Sequence, residues 1–367
     1  MELIFEKENL LKAIQVVQSV AAGRNTLPIL SNVLIDATGD QIVIASTDLE
    51  VGIRMIVPGT ISDGGAITLS ARKLAEIARE LPPAEIRFTT TANDRVEIAC
   101  AQGTYKMIGL PDDEFPNLPT IKDDFFTING EVLRSMIYKT EFAASIEETR
   151  YFLNGLYFYL TPEITQMVAT DGRRLAIASN GPLTPTPQEP IGIIVPLKAV
   201  REIVKTFAES EEIRVCLREN QIIFADDVAT LTSRLVEGEY PKYEQIIPKD
   251  NDGKVVLDVE LFFSALRRVA LFSNPKNFSI RLDVDENAVN ISAKTPELGE
   301  AEETIDFKSS NGGIEIAFDA RFLMDVLRHI QTEEVAMEFK DPLSAVVLKP
   351  VGEDNHLGLI MPMRLES

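Results

Sequence analysis

The chain has 367 residues, 45% of them apolar, with 57 acidic against 36 basic side chains and a formal charge of −21 at pH 7. That length suggests two or three domains, and no apolar run approaches the ~18 residues that a membrane span needs. The acidic total counts against nucleic acid, whose affinity comes from Lys and Arg releasing counterions, but binding follows where charges lie rather than their sum.

The opening MELIFEKENLLKAI carries acids and strand–helix patterning where a secretory signal needs a basic and then an apolar region. Cys100 and Cys216 are too few and too far apart for a disulfide framework. A soluble cytoplasmic protein with buried free thiols is therefore expected.

In chain order, residues 2–5 alternate as a strand and then turn helical, with Leu10, Leu11, Ile14 and Val17 on one side. Residues 27–36, 41–46 and 51–57 read as strands, with Gly39 and Asp40 as a turn. The strand 66–69 leads into a helix over 70–81. Ser70 is its N-cap, and Leu74, Ile77, Ala78 and Leu81 form its apolar stripe. Strands over 85–90, 95–99 and 104–110 follow. The order then restarts with a strand at 125–128 and a helix at 131–140. Strands at 151–160, 165–170 and 191–195 lead to a helix at 196–207, and strands at 212–217, 221–225 and 230–236 close the pass. The third pass has a strand from Val255, helices at 260–271 and 319–330, and strands at 277–284, 288–293, 335–339, 345–349 and 358–365.

Leu74, Val200 and Leu323 occupy equivalent places, spaced by about 126 and 123 residues, far above the roughly 20–50 of solenoid repeats. Glu114-Phe115-Pro116 and Glu239-Tyr240-Pro241 end the first two passes, each followed by a proline-bearing connector. The expected architecture is α+β: three copies of one domain, 1–122, 123–248 and 249–367, each with two helices packed on antiparallel sheets.

Two places before the aligned apolar residue stand Arg72, Lys198 and Arg321, and five places after it Arg79, Lys205 and Arg328. Positions seven apart share a helix face, and here that face lies opposite the core stripe. An acid-rich chain that keeps six bases in one register points to a surface meeting a repeating anion, such as a phosphate backbone, without reading sequence. The competing account is a solvated face. The first helix of each copy is less regular: Lys12 and Arg134 match but meet Phe263, and Lys139 and Arg268 match against Val17.

Catalytic chemistry is not apparent. His329 and His356 have no Cys or His at ligand spacing, there is no Gly-rich phosphate loop, and the paired carboxylates are scattered as surface runs. No catalytic residue, metal or cofactor is expected. Two stretches stand out: 168–176 (VATDGRRLA), a strand into a turn with two arginines, and 359–365 (LIMPMRL), whose methionines around a proline are either plain packing or an adaptable apolar pocket for a peptide.

These stretches also resemble a known family. TLPILSN (26–32), TDLE (47–50), EFPNL (114–118), RYFLNG (150–155), ATDGRRLA (169–176), SRLVEGEYP (233–241) and MPMRL (361–365) are similar to the β subunit of bacterial DNA polymerase III, the sliding clamp, across the whole chain. The resemblance implies a head-to-tail homodimer, a ring around double-stranded DNA lined by helices. Its DNA-facing residues would be Arg24, Arg72, Lys73, Arg79, Lys198, Arg201, Lys205, Arg321 and Arg328. The dimer interface would use Tyr105, Met107, Leu271 and Phe272, with Glu300, Glu302 and Glu303 opposite Lys73, Arg95 or Lys106. The implied partners are the replicative polymerase, a clamp loader and other proteins carrying a clamp-binding peptide, with no membrane involved. Matched position by position, the peptide pocket is Arg150, Phe152, Leu153, Thr170, Gly172, Arg173, Arg174, Leu175, Pro241, Ile246, Ala345, Ile360, Met361, Pro362, Met363 and Arg364. Arg173 stands where many members have His, and Phe152 where Tyr is frequent. The rival readings are an acidic ring-shaped peptide scaffold and a carboxylate-metal enzyme.

Overall fold

The computed structural model describes residues 1–21, 27–121, 124–285 and 288–364. Its helices are α1 (Lys7–Ala21), α2 (Ala71–Glu80), α3 (Gly130–Tyr138), α4 (Leu197–Thr206), α5 (Val259–Val269) and α6 (Ala320–Arg328). They come in pairs that repeat along the chain, and each starts directly from a strand. Ser70 and Asp319 serve both as the last residue of a strand and as the N-cap, accepting from the amides of Lys73 and Arg321. Asp258 does the same for the amide of Leu261. The inward stripes are the predicted ones: Leu74 in α2, Val200 in α4 and Leu323 in α6 are all buried.

The chain packs as two compact units, residues 1–131 with 198–235, and 132–197 with 236–367. In the first, a five-stranded sheet runs in the order Thr60–Asp63, Glu2–Glu6, Glu85–Thr91, Arg95–Cys100, Gly103–Ile108. Its eight-stranded sheet runs Phe126–Asn129, Glu212–Arg218, Gln221–Ala225, Ala229–Arg234, Val51–Val57, Ile42–Thr47, Asn32–Asp36, Ala66–Ser70. Leu231 lies opposite Ile53, so strands from different repeats share one ladder.

The second unit repeats that arrangement. Its nine-stranded sheet runs Ile191–Pro196, Gly155–Leu160, Thr165–Thr170, Arg174–Asn180, His356–Ile360, Val346–Pro350, Glu334–Phe339, Gly253–Asp258, Ser309–Asn311. Leu175 opposite Leu359 is its cross-repeat pairing. A four-stranded sheet runs Gly299–Ile305, Val289–Thr295, Ser279–Val284, Ile314–Asp319. All these pairings are antiparallel, and alternation buries one face of each sheet against helices.

Several expected boundaries shift. The strand expected over 27–36 begins at Asn32, because Pro28–Ser31 forms a 3-10 turn led by a proline. The strand expected from Tyr151 begins at Gly155, after the 3-10 turn Glu148–Leu153. Five strands were not anticipated: Thr60–Asp63, Arg174–Asn180, Gly299–Ile305, Ser309–Asn311 and Ile314–Asp319. In Thr60–Asp63, Gly299–Ile305 and Ser309–Asn311 a polar sequence hides the period-2 signal.

Candidate functional site

The repeated basic face takes shape as the register requires. Arg72, Lys73 and Arg79 on α2, Lys198, Arg201 and Lys205 on α4, and Arg321 and Arg328 on α6 are all exposed. Arg24 lies outside the described residues. On α2, Glu76 accepts from Arg72 at 3.1 Å and from Lys73 at 2.8 Å. The Lys73 and Arg72 hydrogen bonds hold its carboxyl below the usual range. Lys7 donates to the carbonyls of Arg79 and Leu81 and so caps the C-terminal end of α2. On α4, Lys198 pairs with Asp48. Lys205 pairs at 2.8 Å with Glu202, a buried carboxylate that also accepts the Ser19 hydroxyl at 2.5 Å.

On α6 the bases are held more tightly. Arg321 pairs with Asp319 through two nitrogens, at 3.0 and 2.6 Å, and its guanidinium lies 4.0 Å from the centre of the Phe278 ring. Arg328 pairs with Asp325 at 2.9 Å and lies over Phe263. The Arg72 side chain is 90% exposed and that of Arg321 48%. The pairs of Arg72 and Lys73 with Glu76 are exposed on both sides and worth only about 0–1 kcal/mol, so a phosphate can compete for these bases. Asp48, Glu202 and Asp319, the partners of Lys198, Lys205 and Arg321, are instead largely buried. Lys139 is different: it is buried and bonded to Glu353 at 3.0 Å.

The expected interface residues divide. Tyr105 is exposed on Gly103–Ile108, an edge strand. Met107 is 7% exposed and points into the core, whereas Ile108, which was not singled out, is 74% exposed. Leu271 is exposed, but Phe272 is half-buried against the core of the second unit. The acids expected to face Lys73, Arg95 or Lys106 have partners within the second unit itself. Glu300 pairs with Lys294 at 2.8 Å, Glu303 with Arg268 at 2.6 Å, and Glu302 accepts from Asn290. Lys106 likewise pairs with Glu97 at 3.3 Å.

The expected pocket residues all belong to the second unit. The turn between Thr165–Thr170 and Arg174–Asn180 is built by its own side chains. Asp171 Oδ1 accepts from the amides of Arg173 at 2.9 Å and Arg174 at 3.0 Å. The Thr170 hydroxyl donates to the Arg174 carbonyl and accepts from the Gly172 amide. Gly172 has φ +85°, and a Cβ there would lie 2.6 Å from Arg150 Nη1. Glycine thus satisfies both the left-handed backbone and the close approach of the arginine. Arg150 is held by Glu147 at 2.7 Å, and that bond lowers the carboxyl's pKa.

Beside this turn Val168, Leu175, Ile177, Tyr243, Ala345, Val347 and Leu359 form one buried apolar cluster. Tyr157 and Tyr240 stack against each other at 4.7 Å, with the planes within 5°. The Tyr240 hydroxyl meets the Val168 carbonyl, and Tyr243 meets Gln166 at 3.0 Å. Burial pushes both phenols up. Leu153 and Thr170 are buried, Phe152, Pro362 and Met363 are half-buried, and Arg173, Pro241, Ile246, Met361 and Arg364 are exposed. Met361 donates its amide to the Arg173 carbonyl at 2.8 Å, tying the end of the chain to the turn.

Strand alternation sets two members of the expected set apart from this cluster. Arg174 lies opposite Ile360, and Leu175 opposite Leu359. Ile360 packs in the other core, with the α6 residues Leu323 and Val326, whereas Leu359 packs beside Leu175. Arg174 also turns away from the cluster. It bonds Asp171 at 3.1 Å and Asp325 at 2.5 Å and lies over Phe322. Tyr157, Tyr240, Tyr243 and Leu359 belong to or pack against this cluster and are not in the expected set. Counting by twos along 357–360 would have found Leu359.

The two histidines lie in the same unit. His329 stacks on Phe142 at 4.4 Å, and burial lowers its pKa. His356 is buried, and desolvation, with the charge of Lys139, pushes it down to about 4. Among the described residues no group of three or more His, Cys, Asp or Glu is placed to hold a metal ion.

Comparison with known proteins supplies the family. The chain matches the N-terminal, central and C-terminal domains of the DNA polymerase III beta subunit over residues 1–119, 127–242 and 244–364. It is 33% identical to the beta sliding clamp of Pseudomonas aeruginosa and 32% identical to that of Escherichia coli K12, over the whole of each chain. The solved sliding clamp of Bacillus subtilis superposes with a TM-score of 0.95 at 25% identity, covering both chains completely. The P. aeruginosa clamp solved bound to griselimycin gives 0.94 at 33% identity, again over both full chains. The chain has the three-domain clamp fold and belongs to the DNA polymerase III beta subunit family, the sliding clamps, whose members are non-catalytic processivity subunits in DNA replication.

Proposed function

We propose that two copies of this chain join head to tail as a ring around duplex DNA and hold the replicative polymerase there through a peptide pocket. The domains of the ring are 1–122, 123–248 and 249–367. The observation that carries this reading is the face shared by α2, α4 and α6: six bases in one register, exposed opposite the buried Leu74, Val200 and Leu323. Arg24, Lys73 and Arg201 complete the lining. Each contact with phosphate is weak and exchangeable, so the ring slides, while closure prevents it from falling off.

Ring closure pairs the edge strand Gly103–Ile108, with Tyr105 and Ile108, against the edge strand Gly299–Ile305 and the exposed Leu271 of the second copy. Such a heterologous contact repeats until the ring closes. The peptide site centres on Leu175, Ala345 and Leu359, rimmed by Pro241, Ile246, Met361, Pro362 and Met363, with Arg150, Phe152, Arg173 and Arg364 at its margins. A partner bound there acts at high effective concentration on the DNA inside the ring. The cytoplasm, where Cys100 and Cys216 stay free thiols, suits this role, and no helix among the described residues is long and apolar enough to cross a membrane.

Retention on nicked circular DNA, after loading, tests the reading. The protein should stay on the circle in moderate salt and leave when the circle is cut. Equal loss from both forms would instead favour a peptide scaffold with no DNA role.

A further inference from the structure

The outer face of the eight-stranded sheet carries a polar cavity of about 610 Å³ that the clamp function does not use. Its floor is a ladder: Leu34 lies opposite Ala45, Ala45 opposite Arg54, and Arg54 opposite Thr230. Arg218, opposite Gln221 at the end of the next hairpin, lies on the same face. The roof is the proline-bearing connector, with Phe115, Pro116 and Pro119 among its lining residues. Leu118 anchors it on Gly52, where a Cβ would lie 2.5 Å from Leu118 Cδ2.

Among the described residues, the half-buried bases Arg150, Arg174, Arg214 and Lys349 each face a carboxylate. Arg54 is half-buried, yet neither it nor Arg218 forms an ion pair among the described residues. Two unpaired guanidinium groups in one cavity suit a phosphate or diphosphate, which the planar fork binds through paired hydrogen bonds. At the same mouth Phe115 and the prolines offer a flat apolar surface for a ring. Asp36 and Asp112 line the cavity too. Asp36 Oδ1 is taken by the Thr38 amide and hydroxyl, leaving Oδ2 to accept from a ligand amino group. The volume falls in the roughly 300–1,000 Å³ range of small-molecule sites. A larger groove, lined by Glu6, Lys7, Glu8 and Glu85, lacks this complementarity, because Lys7 is committed to the end of α2.

We propose that this cavity binds a purine nucleotide, with its phosphates on Arg54 and Arg218, its base against Phe115, and its amino group toward Asp36. Calorimetric titration of the full chain with GDP and with inorganic pyrophosphate, at physiological salt to screen the chain's negative charge, tests this. GDP should bind at least tenfold more tightly than pyrophosphate. Arg218→Ala, on an exposed hairpin, and Arg54→Gln should each weaken GDP tenfold or more without moving the thermal midpoint of Arg218→Ala. No binding of GDP, or unchanged affinity in Arg218→Ala, would overturn the proposal. So would pyrophosphate binding as tightly as GDP, since that marks an adventitious anion contact only.

Discussion

Helices α2 and α6 occupy the same place in two repeats and present their bases at the same two positions, yet those bases are held differently. Arg72 rests on one carboxylate a helical turn away and is almost wholly exposed. Arg321 grips Asp319 with two nitrogens and lies over Phe278. Register decides which way a side chain points. Its neighbours decide whether it is free to leave for a phosphate. Both helices keep the inward stripe, so the difference between them lies entirely on the outward face.

The first way to break this comparison is to attack what the helices share. Leu74→Ala and Leu323→Ala should each cost about 2–5 kcal/mol, the usual range for a buried leucine, measured as loss of denaturant stability. A large inequality would show that the two stripes are not equivalent.

Acid should separate the units more sharply. His356 has a folded pKa of about 4 against an ordinary value near 6.5. Between those values the unfolded chain binds the proton first, so stability is intact above about pH 6.5 and falls as pH drops toward 4. The loss amounts to about 3 kcal/mol from this group. His356→Gln should flatten that slope, and hydrogen exchange at pH 5 should quicken around α6 more than around α2. Equal acceleration in both would contradict the assignment to His356.

Charge reversal tests the outward faces. Arg72→Glu with Lys198→Glu should lower loading on DNA tenfold or more while dimer mass is unchanged. Arg321→Gln should lower it less than threefold, because that guanidinium is already engaged. Equal effects would erase the distinction drawn between the two helices. Smallest is Glu76→Gln, which releases Arg72 and Lys73. It should leave the thermal midpoint nearly unchanged and modestly lengthen retention at low salt.

The sequence carried the helix register well. The positions of Leu74, Val200 and Leu323 follow from periodicity alone, and the exposure of the six bases opposite them follows from geometry. Carboxylate partners were less legible: Asp48 meets Lys198 from a turn far away in sequence. Strands rich in glutamate, such as Gly299–Ile305, carry too few apolar residues to show alternation. The pocket was read through motif likeness, which places residues along the chain but not on one face of a strand. Hence the expected set holds Ile360, while Leu359, one residue and one sheet face away, is the one packed beside Leu175. Arg54 and Arg218 gave no signal, since only the folded connector brings them into one cavity.

The ladder between Ala229–Arg234 and Val51–Val57 has a practical consequence for dissecting the protein. A fragment ending near residue 122 would carry Val51–Val57 with a bare row of amides and carbonyls along an apolar strand, a template for sticking to other chains. The same holds for His356–Ile360 without Arg174–Asn180. The repeat seen in the sequence is continuous in the chain, while each compact unit that can be cut out cleanly is larger and discontinuous.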